Sequence, residues 1–449
     1  MTFDHDSLAL LDEALRTLER GYTRLPGFSP GDDPGRLREA LLAAAERLRG
    51  DLPYHHPLYA GQMLKPPHPV ARLAYALAMW LNPNNHALDG GRASSAMEKE
   101  SVAAIARMFG WETHLGHLCG GGTVANFEAL WVGRELRRGK AIAASAQAHY
   151  THGRLSGVLG VPFVGIPVDA RGRMDLRALE EALAAGGVGT VVATLGTTAS
   201  GAVDPLPGIL DLARRHDVRV HADAAYGGYF TLAGNLDGET RRAFDRIGDA
   251  DSIVVDPHKH GLQPYGCGCV LFRDPGVARF YLHDSPYTYF TSGELHLGEI
   301  SLECSRAGAA AVALWTTLRM LPLERGGEFA RGLESGREAA LALHEALAKD
   351  RRFAPLAPPE LDIVTWAVRA GSASESSARA RRLFAAAASA DLHVALAEFP
   401  RVMLEPAAPV VEWDAGRILC LRACLMKPEH RDWLPEILTR LRNAAGARG

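Results

Sequence analysis

Asp251-Ser252-Ile253-Val254-Val255-Asp256-Pro257-His258-Lys259-His260-Gly261 is a short apolar run that stops on a proline and then presents one lysine between two histidines. Such a run predicts a strand whose end delivers Lys259 into a loop. An ammonium left at the end of an apolar strand is costly to desolvate, which frees an amine to attack an aldehyde. A lone lysine is ordinarily a solvated surface residue, so its meaning depends on what surrounds it.

Working outward, further short apolar runs at residues 141–146, 189–196, 219–225, 252–257 and 267–272 alternate with helical segments. Alternating strands and helices predict βα units, hence an α/β fold with a mostly parallel central sheet covered on both faces. Asp175 is a suitable N-cap for one such helix, over 176–185. Ligands of these sheets bind beyond the carboxyl ends of the strands. The first hundred residues predict helices broken at Tyr54-His55-His56-Pro57, Pro66-Pro67-His68-Pro69 and Asn82-Pro83-Asn84-Asn85. The organisation expected is a helical arm over 1–85, a large α/β domain over 86–320 and a smaller C-terminal α+β domain over 321–449, entered near Gly326-Gly327.

The 449 residues are 47% hydrophobic and 22% charged, with 46 Gly, 26 Pro and a net charge of −3, which is the profile of a folded globular chain. No basic field favours nucleic acid or anionic lipid, so neither partner is expected. The start, Met1-Thr2-Phe3-Asp4-His5-Asp6, is acidic and no apolar run follows, so no secretory signal is expected. The apolar stretch at 307–318 is shorter than the roughly 18 residues of a membrane span. Cys267/Cys269 and Cys420/Cys424 are weak zinc signals, and buried thiols in a reducing cytoplasm are the expectation, with no metal.

Two further stretches carry chemistry. Cys119-Gly120-Gly121-Gly122-Thr123-Val124-Ala125-Asn126 opens a helix, and glycines there let free backbone N–H groups and the helix dipole cradle a phosphate. It matches neither the Walker nor the dinucleotide spacing, and a glycine-rich helix start without function reads equally well. His221-Ala222-Asp223-Ala224-Ala225-Tyr226-Gly227-Gly228 places a carboxylate among small residues at a strand end. An ionised aspartate against a pyridine nitrogen keeps that nitrogen protonated, and the plainer alternative is a helix N-cap. A phosphate cradle, a carboxylate for a ring nitrogen and an amine for an aldehyde are together the three handles of pyridoxal 5′-phosphate (PLP).

In H-x-D-A-A-x-G-G followed by D-P-H-K, the chain resembles the group II PLP-dependent amino-acid decarboxylases of the aspartate-aminotransferase-like fold (fold type I). The D-P-H-K-x-G form is most similar to the microbial tyrosine and aromatic amino-acid branch. The resemblance implies a homodimer with Lys259 as the Schiff-base lysine, Asp223 as partner of the ring nitrogen, Ala225 on one ring face and His149 stacked on the other. It also implies Thr198 beside the cofactor hydroxyl and substrate carboxylate, His258 with Gly121, Gly122 and Thr123 on the phosphate, and Ser305 reaching a phosphate across the dimer interface. Two departures stand out. Cys119-Gly120-Gly121-Gly122 replaces the usual T-S-G-G, losing a hydroxyl donor, and the tyrosine that returns a proton to Cα is missing near Leu295-His296. Tyr287, Tyr289 and His296 are the alternative proton donors. The implied reaction is decarboxylation of an L-amino acid to its amine. Decarboxylative oxidation to an aldehyde and C–C cleavage are enzymatic alternatives, and non-catalytic PLP binding is a further one. Tyr59, Gln62, His86 and the aromatic stretch 287–290 lean toward an aromatic substrate, while Arg422 is open to a carboxylate-binding or a structural role.

Overall fold

A computed structural model describes residues 5–28, 31, 33–282 and 295–446. Its centre is a seven-stranded sheet of β1 (Leu115–Cys119), β2 (Ala141–Ser145), β3 (Phe163–Ile166), β4 (Val188–Thr194), β5 (Arg219–Asp223), β6 (Ser252–Val255) and β7 (Gly268–Phe272), in the order β1-β7-β6-β5-β4-β2-β3. The neighbours from β6 across to β3 are parallel, while β7 runs antiparallel to both β6 and β1. Every residue of β4, β6 and β7 is buried, which is why these strands read as unbroken apolar runs rather than as alternating ones. The runs stop short of the predicted ends, at Thr194, Asp223 and Val255, because the residues that follow leave the ladder to form the loops of the site. β1 and β3 gave no such signal. β1 carries a glycine and a histidine in five residues, and β3 is an edge strand with only Ile166 buried.

Before the sheet lie α1 (Ser7–Glu19), α2 (Pro34–Leu48), α3 (Pro69–Met79) and α4 (Leu88–Met108); α5 (Gly122–Leu136) and α6 (Thr151–Leu159) follow β1 and β2. The helix Leu176–Ala184 starts where Asp175 accepts the N–H groups of Arg177 and Ala178. A helix over Gly308–Met320 leads to Gly326, whose φ of +73° suits glycine, and then to the helix Glu328–Ala348. That helix packs on a second, antiparallel sheet built from Phe353–Pro355, Ile363–Val368, Ala395–Pro400 and Arg417–Cys424, around a core that includes Trp366, Leu343, Leu383, Leu421 and Leu441. Among the described residues no helix is long and apolar enough to cross a membrane.

The two sheets are joined by buried polar contacts. Glu360 Oε2 accepts the Val203 N–H at 2.6 Å and Oε1 faces Arg171 Nη2 at 2.7 Å. Burial pushes this carboxyl up to about 7, against the pull of Arg171 and the Val203 N–H. Since the folded state holds this proton more tightly than the unfolded chain does, Glu360 opposes folding increasingly as pH rises from about 4 to about 7. Glu360→Gln removes that contribution. The stability of the variant relative to the parent, read as a difference in thermal midpoint, is therefore expected to grow as pH is raised from 5 to 8; a difference independent of pH would reject the assignment.

Candidate active site

Parallel pairing brings Thr194, Asp223 and Val254 level at the carboxyl ends of β4, β5 and β6. The loops leaving these ends, with the start of α5, enclose a cavity of about 330 Å³. Of the residues named from the sequence, Gly121, Gly122, Thr123, His149, Thr198, Asp223, Ala225, His258 and Lys259 all line it. Chain segments more than a hundred residues apart therefore converge on one space.

Asp223 is 5% exposed, and its Oδ2 accepts a hydrogen bond of 2.8 Å from His152 Nε2 on α6. Burial alone would raise the carboxyl, but the His152 hydrogen bond and charge, followed by His221 and Lys259, hold it well below the usual carboxylate range. Oδ1 accepts the Ala225 N–H at 3.2 Å, yet no helix starts there, so Asp223 is not the N-cap that was its plainer reading. His152 was not singled out from the sequence. The spacing of His149 and His152, one helical turn apart, was its only signal. A hydrogen bond to a charged group contributes about 1.5–3 kcal/mol, so His152→Leu is expected to lower kcat roughly tenfold or more. Its readout is the pH profile of cofactor absorbance, which should change in His152→Leu and return toward the parent in His152→Gln.

The glycine loop is held in place from below. Asn126 Nδ2 donates to Gly122 O at 2.8 Å, and its Oδ1 accepts from His221 Nε2 at 2.8 Å. His221 Nδ1 then accepts from Ser252 Oγ at 2.9 Å. Burial drives His221 down to about 3, so it serves as a neutral strut between β5, β6 and α5. Gly121 adopts φ +145°, and a Cβ on Gly122 would lie 2.6 Å from Asp256 Oδ2. A side chain is thus excluded at Gly122, and, while Glu303 Oε2 accepts the Gly120 N–H just before α5 at 3.2 Å, no side chain among the described residues caps that helix. Its first N–H groups point into the cavity's end as an anion cradle.

Lys259 is not the bare ammonium that its strand-end position suggested. Its Nζ lies 3.0 Å from Oδ2 of Asp256, a carboxylate 2% exposed, one turn earlier in the same loop. Asp256 had been read only as part of the motif. His258 Nδ1 donates to Cys267 O at 2.8 Å, which fixes the tautomer, while its Nε2 stands 3.6 Å from Asp256 Oδ2. Nε2 can therefore donate to a phosphate only when the ring is cationic, a form that burial disfavours. Tyr265 covers this ring at 4.8 Å between centroids.

The remaining named residues fall elsewhere. His296 is buried, its Nδ1 accepting the Leu88 N–H at the start of α4, and it does not line the cavity. The expectation that it is a proton donor within its own chain's site is corrected accordingly: capping a neighbouring helix occupies the ring. Tyr287 and Tyr289, with the stretch 287–290, lie outside the described residues. Ser305 is exposed and outside the cavity. Tyr59 is buried beneath Lys427 Nζ, 5.4 Å from its ring centre, and His86 O accepts the Gly298 N–H. Arg422 donates to Thr198 O, Gly61 O and Gln62 Oε1, so it clamps the second sheet to the loop bearing Thr198.

The cavity fits PLP. Its volume suits a small cofactor, the cradle is closed to side chains, and two buried acceptors lining it, Thr194 Oγ1 and Asp256 Oδ1, have no hydrogen-bond partner among the described residues. An uncapped helix start for phosphate, an aspartate held in its ionised form and a lysine amine, gathered beyond the strand ends of this sheet, define a PLP enzyme of fold type I. The family model for the pyridoxal-dependent decarboxylase conserved domain matches residues 128–369, more than half of the chain, and the chain belongs to that family. It is 28% identical to an L-tyrosine decarboxylase of Enterococcus faecium, over 79% of this chain and 77% of that one. It is also 30% identical to a probable L-aspartate decarboxylase of Halobacterium salinarum, over 58% and 70%. The crystal structure of Oryza sativa TDC with PLP and tryptamine shares the fold, with a TM-score of 0.77 at 21% identity over 99% of both chains. The protein is a PLP-dependent amino-acid decarboxylase.

Proposed function

We propose that the substrate is an aromatic L-amino acid of the tyrosine type and that the products are its amine and CO₂. One observation carries the choice over aspartate. Among the described residues lining the cavity, the carboxylates of Asp223 and Asp256 already outnumber the one lysine, Lys259, and there is no arginine. An acidic side chain would add a carboxylate with no cation of its own, whereas the rings of Tyr226 and Tyr265 offer a surface to a neutral aromatic one.

In this reading PLP, when bound, withdraws electrons from the bonds at the substrate's Cα. Lys259 would supply the amine that ties the cofactor, with Asp256 as counter-ion whenever that amine carries a proton. Asp223, fixed by His152, keeps a proton on the ring nitrogen. His149 and Ala225 would flank the cofactor ring, Thr198 would serve the substrate carboxylate, and the backbone of Gly121, Gly122 and Thr123, joined by His258 when its ring is cationic, would take the phosphate. Return of a proton to Cα falls to Tyr287 or Tyr289. The lack of a tyrosine at Leu295-His296 keeps oxidation to the aldehyde as a second reading.

Incubation with each of the twenty amino acids, reading CO₂, amine, aldehyde and peroxide together, tests both points. Tyrosine or another aromatic should give amine and CO₂ in equal amounts without peroxide. Faster turnover of aspartate rejects the substrate, and aldehyde with peroxide rejects the reaction.

We also infer a cytoplasmic homodimer. α1 and α2 bury no residue, yet they expose Leu8, Leu10, Leu37, Leu41 and Leu48 at 58–68%. Apolar faces of this size call for a partner, and Ser305 then meets the partner's phosphate. All six cysteines are free thiols, which supports a reducing compartment. Light scattering at micromolar concentration should give twice the chain mass.

A further inference from the structure

At the opposite end of β5 from Asp223 lies a second cavity, of about 620 Å³. Five arginines line it, Arg137, Arg214, Arg219, Arg246 and Arg273, against three aspartates. Two of the arginines are paired outright: Arg137 holds both oxygens of Asp217 at 2.9 and 2.7 Å, and Arg246 Nε bonds Asp249. The third aspartate, Asp251, accepts the Val220 N–H at 2.9 Å through Oδ2 and Arg273 Nη2 at 3.3 Å through Oδ1. Neither of these bonds comes from Arg219. Its side chain is only 14% exposed, its Nη1 approaches Asp251 no closer than 3.9 Å, and its buried Nε has no partner among the described residues. Arg214 sees only Asp211, at 3.5 Å and largely in water.

A largely buried guanidinium whose Nε has no acceptor among the described residues is unusual enough to call for one. The lining carries two more positive charges than negative ones, and the planar guanidinium fork matches oxyanions through paired hydrogen bonds. The volume is that of a small-molecule site. We propose that this cavity binds a small multivalent oxyanion, a di- or triphosphate or a tricarboxylate, on the side of the sheet away from PLP. Arg219 and Asp223 are the two ends of one five-residue strand, so the two sites share a rigid element and stand about 13 Å apart.

The test is calorimetric titration of the PLP-loaded enzyme with tripolyphosphate and, separately, with citrate, at constant ionic strength. Loading keeps the glycine cradle occupied, so phosphate uptake there does not contribute. Saturable binding is expected, weakened at least tenfold in Arg219→Gln. The same loss is expected in the double variant Arg214→Gln/Arg246→Gln, whose changes lie at the surface and leave the fold intact. Binding of tripolyphosphate alone assigns a phosphate ligand, citrate alone a polycarboxylate, and both the wider oxyanion class. Absence of saturable binding with either probe, or an affinity unchanged in the double variant, overturns the proposal.

Discussion

Lys259→Ala is expected to abolish turnover, by on the order of 10⁴-fold or more, and to remove the visible absorption of the PLP-loaded protein. No other lysine lines the cavity among the described residues, so no neighbour can take over the amine. The substitution also has a structural effect in the cofactor-free protein. Asp256 is 2% exposed and loses its nearest cation, with His258 Nε2 next at 3.6 Å. Leaving a buried charge without its partner costs about 3–5 kcal/mol in well-buried cases. Lys259 is 22% exposed, which places the loss toward the lower end. Lys259→Arg separates the two effects: it should keep the thermal midpoint near that of the parent and still be inactive. Residual activity above one part in a hundred in either variant would remove Lys259 from the centre of the chemistry.

Asp223→Asn is expected to lower kcat by about 10²–10³-fold, the scale seen when one preorganised electrostatic group is removed from an active site. The amide keeps the size of the carboxylate and can still accept the Ala225 N–H, so the fold should be retained. What is lost is the negative charge, and with it the means of holding a proton on a ring nitrogen. Because the Asp223 carboxyl is held well below the usual range, its charge is expected to persist through neutral and mildly acidic pH. The acid limb of the parent's pH profile should therefore come from another group and survive in Asp223→Asn, at reduced height. Wild-type kcat in Asp223→Asn would exclude the ring-nitrogen role.

The placement of Asp223 and Lys259 in one site was legible because each closes or closely follows an apolar run, and buried parallel strands write themselves as uninterrupted runs. The glycine loop was legible because only glycine tolerates the φ of Gly121 and the contact of Gly122 with Asp256. Three other features were not. His152 reaches Asp223 by way of α6, Asn126 and His221 meet only when α5 docks on the sheet, and Arg219 Nε is left without a partner among the described residues while Asp251 bonds two other donors and stands 3.9 Å from Nη1.

By itself, then, the sequence determined the α/β layering, the residues at the strand ends and the kind of cofactor they suit, since each follows from local pattern and residue chemistry. Only the tertiary structure decided which carboxylate faces Lys259, that His296 caps a helix instead of entering the site, and where unmatched arginines collect. Those outcomes depend on distances between segments far apart in the chain, and hydrogen-bond capacity can be counted only after the elements have packed.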